Sequence, residues 1–272
     1  MTEKTINDVI FLEFELFKDN NWFKHCFSTR IGGVSKGHFS SLNFRPKGDT
    51  KENLTENYKR ICGASSLSFD GLTFSYQEHG ANIRNVTADD RGKGLHKERD
   101  YSNIDGLITN EPGIALTTFH ADCTPIFLAD TVTKSIGLIH AGWRSTHLEI
   151  AANAVSAMVK EYGAKSKNIL AGIGPSICYS CFEVDKPVYD KFAEYAEHTA
   201  QKPGIADKYI IDLKGINRKI LINAGLKEDN IEVSPLCTKC NEKLFYSHRR
   251  DGNNRGSMAA FMEIMQEVWH ER

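Results

Sequence analysis

Apolar and polar positions along this chain change period several times. "IFLEFELF" at 10–17 alternates apolar with acidic residues, the pattern of a strand with one face buried. In the middle of the chain, "GLITN", "GIALTTF", "TPIFLAD" and "SIGLIHAG" are short apolar runs divided by turn residues, which predicts successive buried strands. The period then lengthens. "LEIAANAVSAMVKEY" places Leu148, Ala151, Ala152, Val155, Met158, Val159 and Tyr162 on one helical face, with Gly163 as its C-terminal cap.

Beyond the helix, "NILAGIG" predicts another strand and the stretch after Asp185 a helix. "YIIDL" at 209–213 leads into a helical segment reaching about 224. "IEVSPLCT", "KLFYSHRR" and "GSMAAFMEI" return to strand character. Two polar stretches interrupt the pattern. "STRIGGVSKGHFSSLNF" at 28–44 reads as an ordered loop, and "ADDRGKGLHKERDYSN" at 88–103 as a mobile surface excursion to which no chemistry is assigned. Interleaved strands and helices without strict βαβ alternation predict an α/β or α+β fold and disfavour a doubly wound nucleotide fold.

Composition narrows the partners. The 272 residues are 40% hydrophobic and 25% charged, with a formal net charge of −1. Length fits one large domain or two small ones. A near-neutral balance without a long basic run argues against nucleic acid as a partner. Acids interrupt the first apolar stretch, so it does not resemble a signal peptide, and no run approaches the ~18 apolar residues of a spanning helix. The expectation is a cytoplasmic protein without a membrane partner. Seven cysteines then read as buried thiols, catalytic thiols or metal ligands.

Three stretches, "QEHG", "HADCTP" and "IHAGW", set a histidine or cysteine beside small residues at strand ends or turns. His79, Cys123 and His140 would supply an N, S, N donor set that suits zinc with one position left open. They lie far apart in sequence, so buried thiol and hydrogen-bonded imidazoles are the competing reading. Cys123 could instead be a thiol nucleophile with a histidine base, and Asp122 an orienting or turn-capping carboxylate.

"CYSC" at 178–181 and "CTKC" at 237–240 form two CxxC pairs, separated by far more than the ~15–20 residues of a compact zinc ribbon. Buried thiols are favoured there over a four-cysteine metal site, and a dithiol redox role least of all. Arginine forks in "FSTR", "GWR" and "FYSHRRDGNNRG" (Arg30, Arg144, Arg249, Arg250, Arg255) suit phosphate or carboxylate, against the ordinary alternative of surface ion pairs. Neither a P-loop nor a GxGxxG is present, so no conventional ATP or NAD site is indicated.

Taken in order, "FSTRIGGVSKGHFSSLNF", "QEHG", "DGLITNEPGIALTTFHADCTPIFLAD", "GLIHAGWR", "GIGPSICYSCFEVD", "YIIDLKGINRKIL" and "FYSHRRDGNNRG" resemble the laccase-domain family, also called multicopper polyphenol oxidoreductase-like or purine nucleoside phosphorylase proteins. The resemblance runs from about residue 26 to 260. It implies one catalytic domain spanning 1–272, a four-layer α/β/β/α sandwich of mixed sheets. It also implies zinc (with copper as the alternative ion) on His79, Cys123 and His140, the residues placed in the catalytic centre together with Asp122.

The implied substrates are phosphate and a purine nucleoside (adenosine, inosine, guanosine or methylthioadenosine), with adenosine deamination as a side activity. Ser28, Arg30, Arg144, Arg249 and Arg250 are expected to bind substrate or phosphate, and Asp122 or Glu78 to move a proton. A monomer or homodimer is expected. Two alternatives accompany this reading: a cysteine- or metal-dependent hydrolase editing amino-acid-bearing peptidoglycan precursors, and a copper polyphenol oxidase. The second is disfavoured because the chain lacks the repeated His-x-His pairs of a multicopper centre. The sequence departs from the family at Ser145, His248 and Cys26, two of which could reshape the pocket.

Overall fold

The computed structural model describes residues 1–266. One sheet runs β1 (Thr2–Ile6), β2 (Val9–Glu13), β3 (Phe23–Ser28), β15 (Met258–Ile264), β7 (Ala115–His120), β4 (Leu72–Phe74). A second runs β14 (Ile231–Val233), β10 (Ile169–Ile173), β8 (Thr124–Asp130), β9 (Ser135–Ala141), β6 (Gly106–Thr109), β5 (Ile83–Asn85). Both are mixed: β4 joins β7 and β5 joins β6 in parallel, whereas most other pairs are antiparallel. A small third sheet orders β11 (Glu183–Asp185), β13 (Lys208–Ile211) and β12 (Thr199–Gln201).

The two large sheets face each other across a core that includes Phe27, Leu116, Phe127, Leu138, Ala260 and Met262. Their central strands are buried on both faces, which explains why they read as continuous apolar runs rather than alternating ones. Helix α1 (Lys51–Ser65) covers the outer face of the first sheet through Leu54, Tyr58, Ile61 and Cys62. Thr50 caps its start by accepting from the Asn53 N–H, and Ser66 ends it in the left-handed region. Helices α2 (Trp143–His147), α3 (Ile150–Tyr162) and α5 (Leu213–Asn223) cover the second sheet. The result is the expected α+β sandwich in four layers. Short helices α4 (Lys186–Tyr189) and α6 (His248–Asp251) complete the set. Among the described residues, no helix is long and apolar enough to cross a membrane.

Several sequence expectations need correction. The strand at 10–17 stops at Glu13, and Glu15–Phe17 form a 3-10 turn. The helix at 148–162 begins two residues later, because Leu148 closes α2 and Glu149 turns the chain with φ +55°. Leu148 and Val159 are consequently exposed, and the buried stripe is Ile150, Ala151, Ala154, Val155 and Met158. "KLFYSHRR" is not a strand: it is a turn leading into α6, whose start Ser247 caps by accepting from the Arg250 N–H. The charged stretch 88–103 is tied down. Asp90 is buried and pairs with Arg84 and Lys93, and Lys93 also reaches Asp100. Three of its charges, Asp90, Lys93 and Asp100, pair with one another, and Arg99 donates to the Ser75 carbonyl, so polarity there marks an anchored loop.

Candidate functional site

Strand register builds the site. The turn Ala121–Cys123 carries the chain from β7 in the first sheet to β8 in the second. Asp122 holds φ +93° within it. The β8–β9 ladder pairs Thr124 with Ala141 and Pro125 with His140, which brings Cys123 next to the end of β9. There the chain must stay small. A Cβ on Gly142 would stand 2.8 Å from His79 Cδ2 and 3.2 Å from the Cys123 sulfur.

His79 arrives on a turn between β4 and β5, itself at φ +62°. That turn is pinned by Asp105, the fully buried residue just before β6. Its carboxylate accepts the backbone N–H groups of Glu78 (3.0 Å), His79 (3.0 Å) and Gly80 (2.9 Å). It also accepts the His140 Nδ1–H at 2.8 Å. Four donors compensate the burial of this charge, each charge-assisted bond being worth roughly 1.5–3 kcal/mol. Burial pushes the Asp105 carboxyl up, but the His140 bond and charge and the turn N–H groups together hold it below its usual range.

With Nδ1 committed to Asp105, His140 has Nε2 free for the site. The ligating atoms of His79, Cys123 and His140 all lie within 4.8 Å of one another, and Cys123 Sγ is 3.8 Å from His79 Nε2. Burial raises the Cys123 thiol, but the His140 charge and hydrogen bonds from His140 and His79 outweigh it and bring it to about 6. His140 moves the other way. Burial lowers it, and the Cys123 thiolate and the Asp105 bond carry it up to about 9. A third imidazole, buried His120, contacts Thr118 Oγ1 (2.8 Å) and the Cys123 carbonyl (3.2 Å), and burial keeps it neutral.

Two cavities, of about 560 and 380 Å³, share His79, Ala121, Cys123 and Arg255. The larger is walled by Trp143, Ile177, Phe182, Val184, Val188 and Leu213, with Arg144, His248 and Arg249 at its polar margin. The smaller is lined by Arg45, Arg99 and Arg255 beside Phe74, Gln77 and Phe119. Arg255 is partly desolvated, which lowers its affinity for a proton, and its Nε has no partner among the described residues. Arg99 stacks on Tyr76 at 4.4 Å.

The expected site residues therefore divide. His79, Cys123, His140, Asp122, Arg144 and Arg249 come together around the larger cavity or at its junction with the smaller one. Asp122 is already engaged: Thr238 Oγ1 (2.6 Å), Ser247 Oγ (3.0 Å) and the Arg249 N–H (2.7 Å) all donate to its carboxylate. Four expected residues line neither cavity. Glu78 is exposed on the turn beside His79, held through its backbone N–H by Asp105. Ser28 is buried in β3, where its hydroxyl accepts the Ala259 N–H. Arg30 spans the Ser40 and Glu242 carbonyls over the Tyr246 ring. Arg250 is consumed by the Thr238, Lys239 and Phe245 carbonyls and by Asp251.

Asp105, Arg45 and Arg99 were missed. Asp105 had a signal, an acid directly ahead of a buried strand; Arg99 had none, being hidden in a stretch read as mobile. A further expectation is overturned in geometry: Cys178, Cys181, Cys237 and Cys240 form one cluster.

This architecture of two packed mixed sheets defines a fold class found in solved proteins. The structure superimposes with a TM-score of 0.88 on the hypothetical protein YfiH of Bacillus licheniformis, at 32% identity over 95% of this chain and 97% of that one. With YlmD of Geobacillus stearothermophilus the TM-score is 0.85, at 32% identity over 97% and 98%. In sequence, the chain is 36% identical over 247 residues to the purine nucleoside phosphorylase YlmD of Bacillus subtilis, covering 88% of each. It is 31% identical over 252 residues to the human purine nucleoside phosphorylase LACC1, covering 90% of this chain and 56% of that one. Residues 24–265 match the family described as multi-copper polyphenol oxidoreductase laccase, and the chain belongs to that family.

Proposed function

We propose that this chain is a single catalytic domain acting as a zinc-dependent purine nucleoside phosphorylase, with adenosine, inosine, guanosine and methylthioadenosine as its substrate range. One observation carries the reading: an aromatic-walled cavity and an arginine-lined cavity meet at the His79–Cys123–His140 cluster. Relatives bearing the phosphorylase name support it.

The donor set fits zinc. Two imidazoles and a thiol with a depressed proton affinity converge, and His140 carries the outer-shell carboxylate that orients ligating histidines. Bound zinc would supply Lewis-acid polarisation of an oxygen ligand in the open position. The chain's own groups supply the rest. Trp143 and Phe182 give flat apolar surfaces for a purine, and Arg144 and Arg249 lie at the polar margin of that cavity. Arg45, Arg99 and Arg255 hold phosphate in the other lobe. Phosphorolysis then forms a bond from a phosphate oxygen to ribose C1′ as the bond from C1′ to the purine nitrogen breaks. Asp122 is assigned to positioning Arg249 and α6, since its oxygens are occupied by three donors.

Chromatography of adenosine and inosine incubations tests this. Free base that forms only when phosphate is added supports the reading, and its absence with both nucleosides refutes it. Inosine from adenosine without phosphate would add the deaminase activity.

A second reading has its own observation. Cys123, His140 and Asp105 are arranged as nucleophile, base and orienting carboxylate, with thiol and imidazole displaced towards an ion pair. That arrangement suits a cysteine hydrolase. A chelator separates the two, abolishing turnover by the zinc enzyme and sparing a thiol hydrolase.

A further inference from the structure

We propose that the chain holds a second metal, a structural zinc bound by Cys178, Cys181, Cys237 and Cys240, which clamps the wall of the larger cavity. The two CxxC pairs are distant in sequence, yet topology brings them together. Strands β10 and β14 are parallel neighbours, with Ala171 opposite Ile231 and Ile173 opposite Val233. The segments leaving them run on side by side, and a further bridge pairs Ser176 with Cys237. Each CxxC therefore follows its strand at the same end of the sheet.

The four sulfurs all lie within 4.8 Å of one another, and Cys181 Sγ is 3.5 Å from Cys240 Sγ. A tetrahedron with Zn–S bonds of about 2.3 Å has sulfurs about 3.8 Å apart. All four are free thiols. The backbone is arranged as in a metal knuckle. The Cys178 N–H points at Cys237 Sγ (3.3 Å), so one loop donates to a sulfur of the other. The Cys178 carbonyl accepts the N–H groups of Cys181 and Phe182, closing the first turn. Asn241 closes the second by donating to the Cys237 carbonyl from both its backbone N–H (3.1 Å) and its side-chain amide (2.8 Å). Buried Lys214 ties the approach to the second knuckle through the Ser234 and Leu236 carbonyls. Four sulfurs and no carboxylate or imidazole select zinc or another thiophilic ion over magnesium or calcium.

The consequence reaches the pocket. Ile177 and Phe182 flank the first knuckle and line the larger cavity, and the Ile177 N–H bonds to the Asp122 carbonyl. Thr238, inside the second knuckle, donates to Asp122, while Arg249 is held by the Cys181 and Glu183 carbonyls. One ion fastening both knuckles would fix the wall on which Phe182 and Arg249 stand.

Metal content of the full-length protein, purified from zinc-supplemented cells, tests the proposal. The expected values are two zinc ions per chain for the wild type, one for Cys123→Ala and one for the double variant Cys181→Ser/Cys240→Ser. Should the double variant fail to fold, cobalt-reconstituted Cys123→Ala gives the same answer without touching the cluster. It should show intense sulfur-to-cobalt charge-transfer bands and the visible spectrum of a tetrahedral tetrathiolate. Cys123→Ala that binds no metal, lacks these bands, or contains a bond between Cys181 and Cys240 under reducing purification would overturn the proposal.

Discussion

Asp105 and His140 are joined twice. The His140 backbone N–H donates to the Asp105 carbonyl at 2.8 Å, and the His140 Nδ1–H donates to the Asp105 carboxylate at the same distance. One residue thus sets both the position of the strand end and the rotation of the ring, and with its remaining bonds it fixes the turn that delivers His79. Replacing it disturbs two of the three proposed ligands at once. Asp105→Asn should weaken zinc binding and lower kcat/KM by about 10–100-fold, the usual cost of losing an outer-shell partner. Zinc competition against a chromophoric chelator measures the first effect and steady-state kinetics the second. Unchanged values for both would remove Asp105 from the account.

Gly142 is a steric requirement of the same site. Gly142→Ala places a methyl 2.8 Å from the His79 ring and 3.2 Å from the Cys123 sulfur. Helix α2 and the strands remain, so the melting temperature should move by only a few degrees. Activity should fall on the order of 100-fold through misplacement of the ligands. Thermal melts beside kinetic assays check the split, and full activity in this variant would show that His79 is not needed where it stands.

The arginine-lined lobe makes a separable prediction. Arg99→Gln removes a guanidinium that lines this lobe away from the aromatic wall. KM for phosphate should rise about 10-fold, as expected for a lost charge-assisted bond, while KM for the nucleoside changes less than twofold. The reverse pattern would assign that lobe to the nucleoside.

Acid sensitivity should arise partly in the core. Buried His25 accepts the Phe14 N–H at Nε2 (2.8 Å), and burial, aided by the Lys24 charge, pushes it down to about 3 from an unfolded value of 6.5. The folded state therefore refuses a proton that the unfolded chain accepts. The stabilising effect is complete above pH 6.5 and is lost as pH falls towards 3, at about 1.4 kcal/mol per unit. Between pH 7 and 5 the wild type should lose about 2 kcal/mol more than His25→Gln in urea titrations. Parallel losses would show that His25 does not govern this range.

Much of this fold was legible because its central strands are buried on both faces and leave uninterrupted apolar runs. His79, Cys123 and His140 were legible as chemistry beside small residues. Arg99 was not, because its charged neighbours look solvated until Asp90, Lys93 and Asp100 are seen to pair among themselves. The strand-like "KLFYSHRR" misled because Phe245 and Tyr246 are buried by tertiary contacts rather than by a ladder. Sequence separation hides the four-cysteine cluster, whose proximity comes from the parallel pairing of β10 with β14, which no local pattern announces. Ser28 and Arg30 show the converse: a residue inside a matching block can serve the scaffold alone.

Phosphorus NMR of the zinc-loaded protein with inosine and phosphate follows the bond formed at ribose C1′. Ribose 1-phosphate should appear in equal amount to free hypoxanthine, and neither product with Cys123→Ala. Hypoxanthine released without ribose 1-phosphate, or equal turnover by Cys123→Ala, would contradict zinc-dependent phosphorolysis.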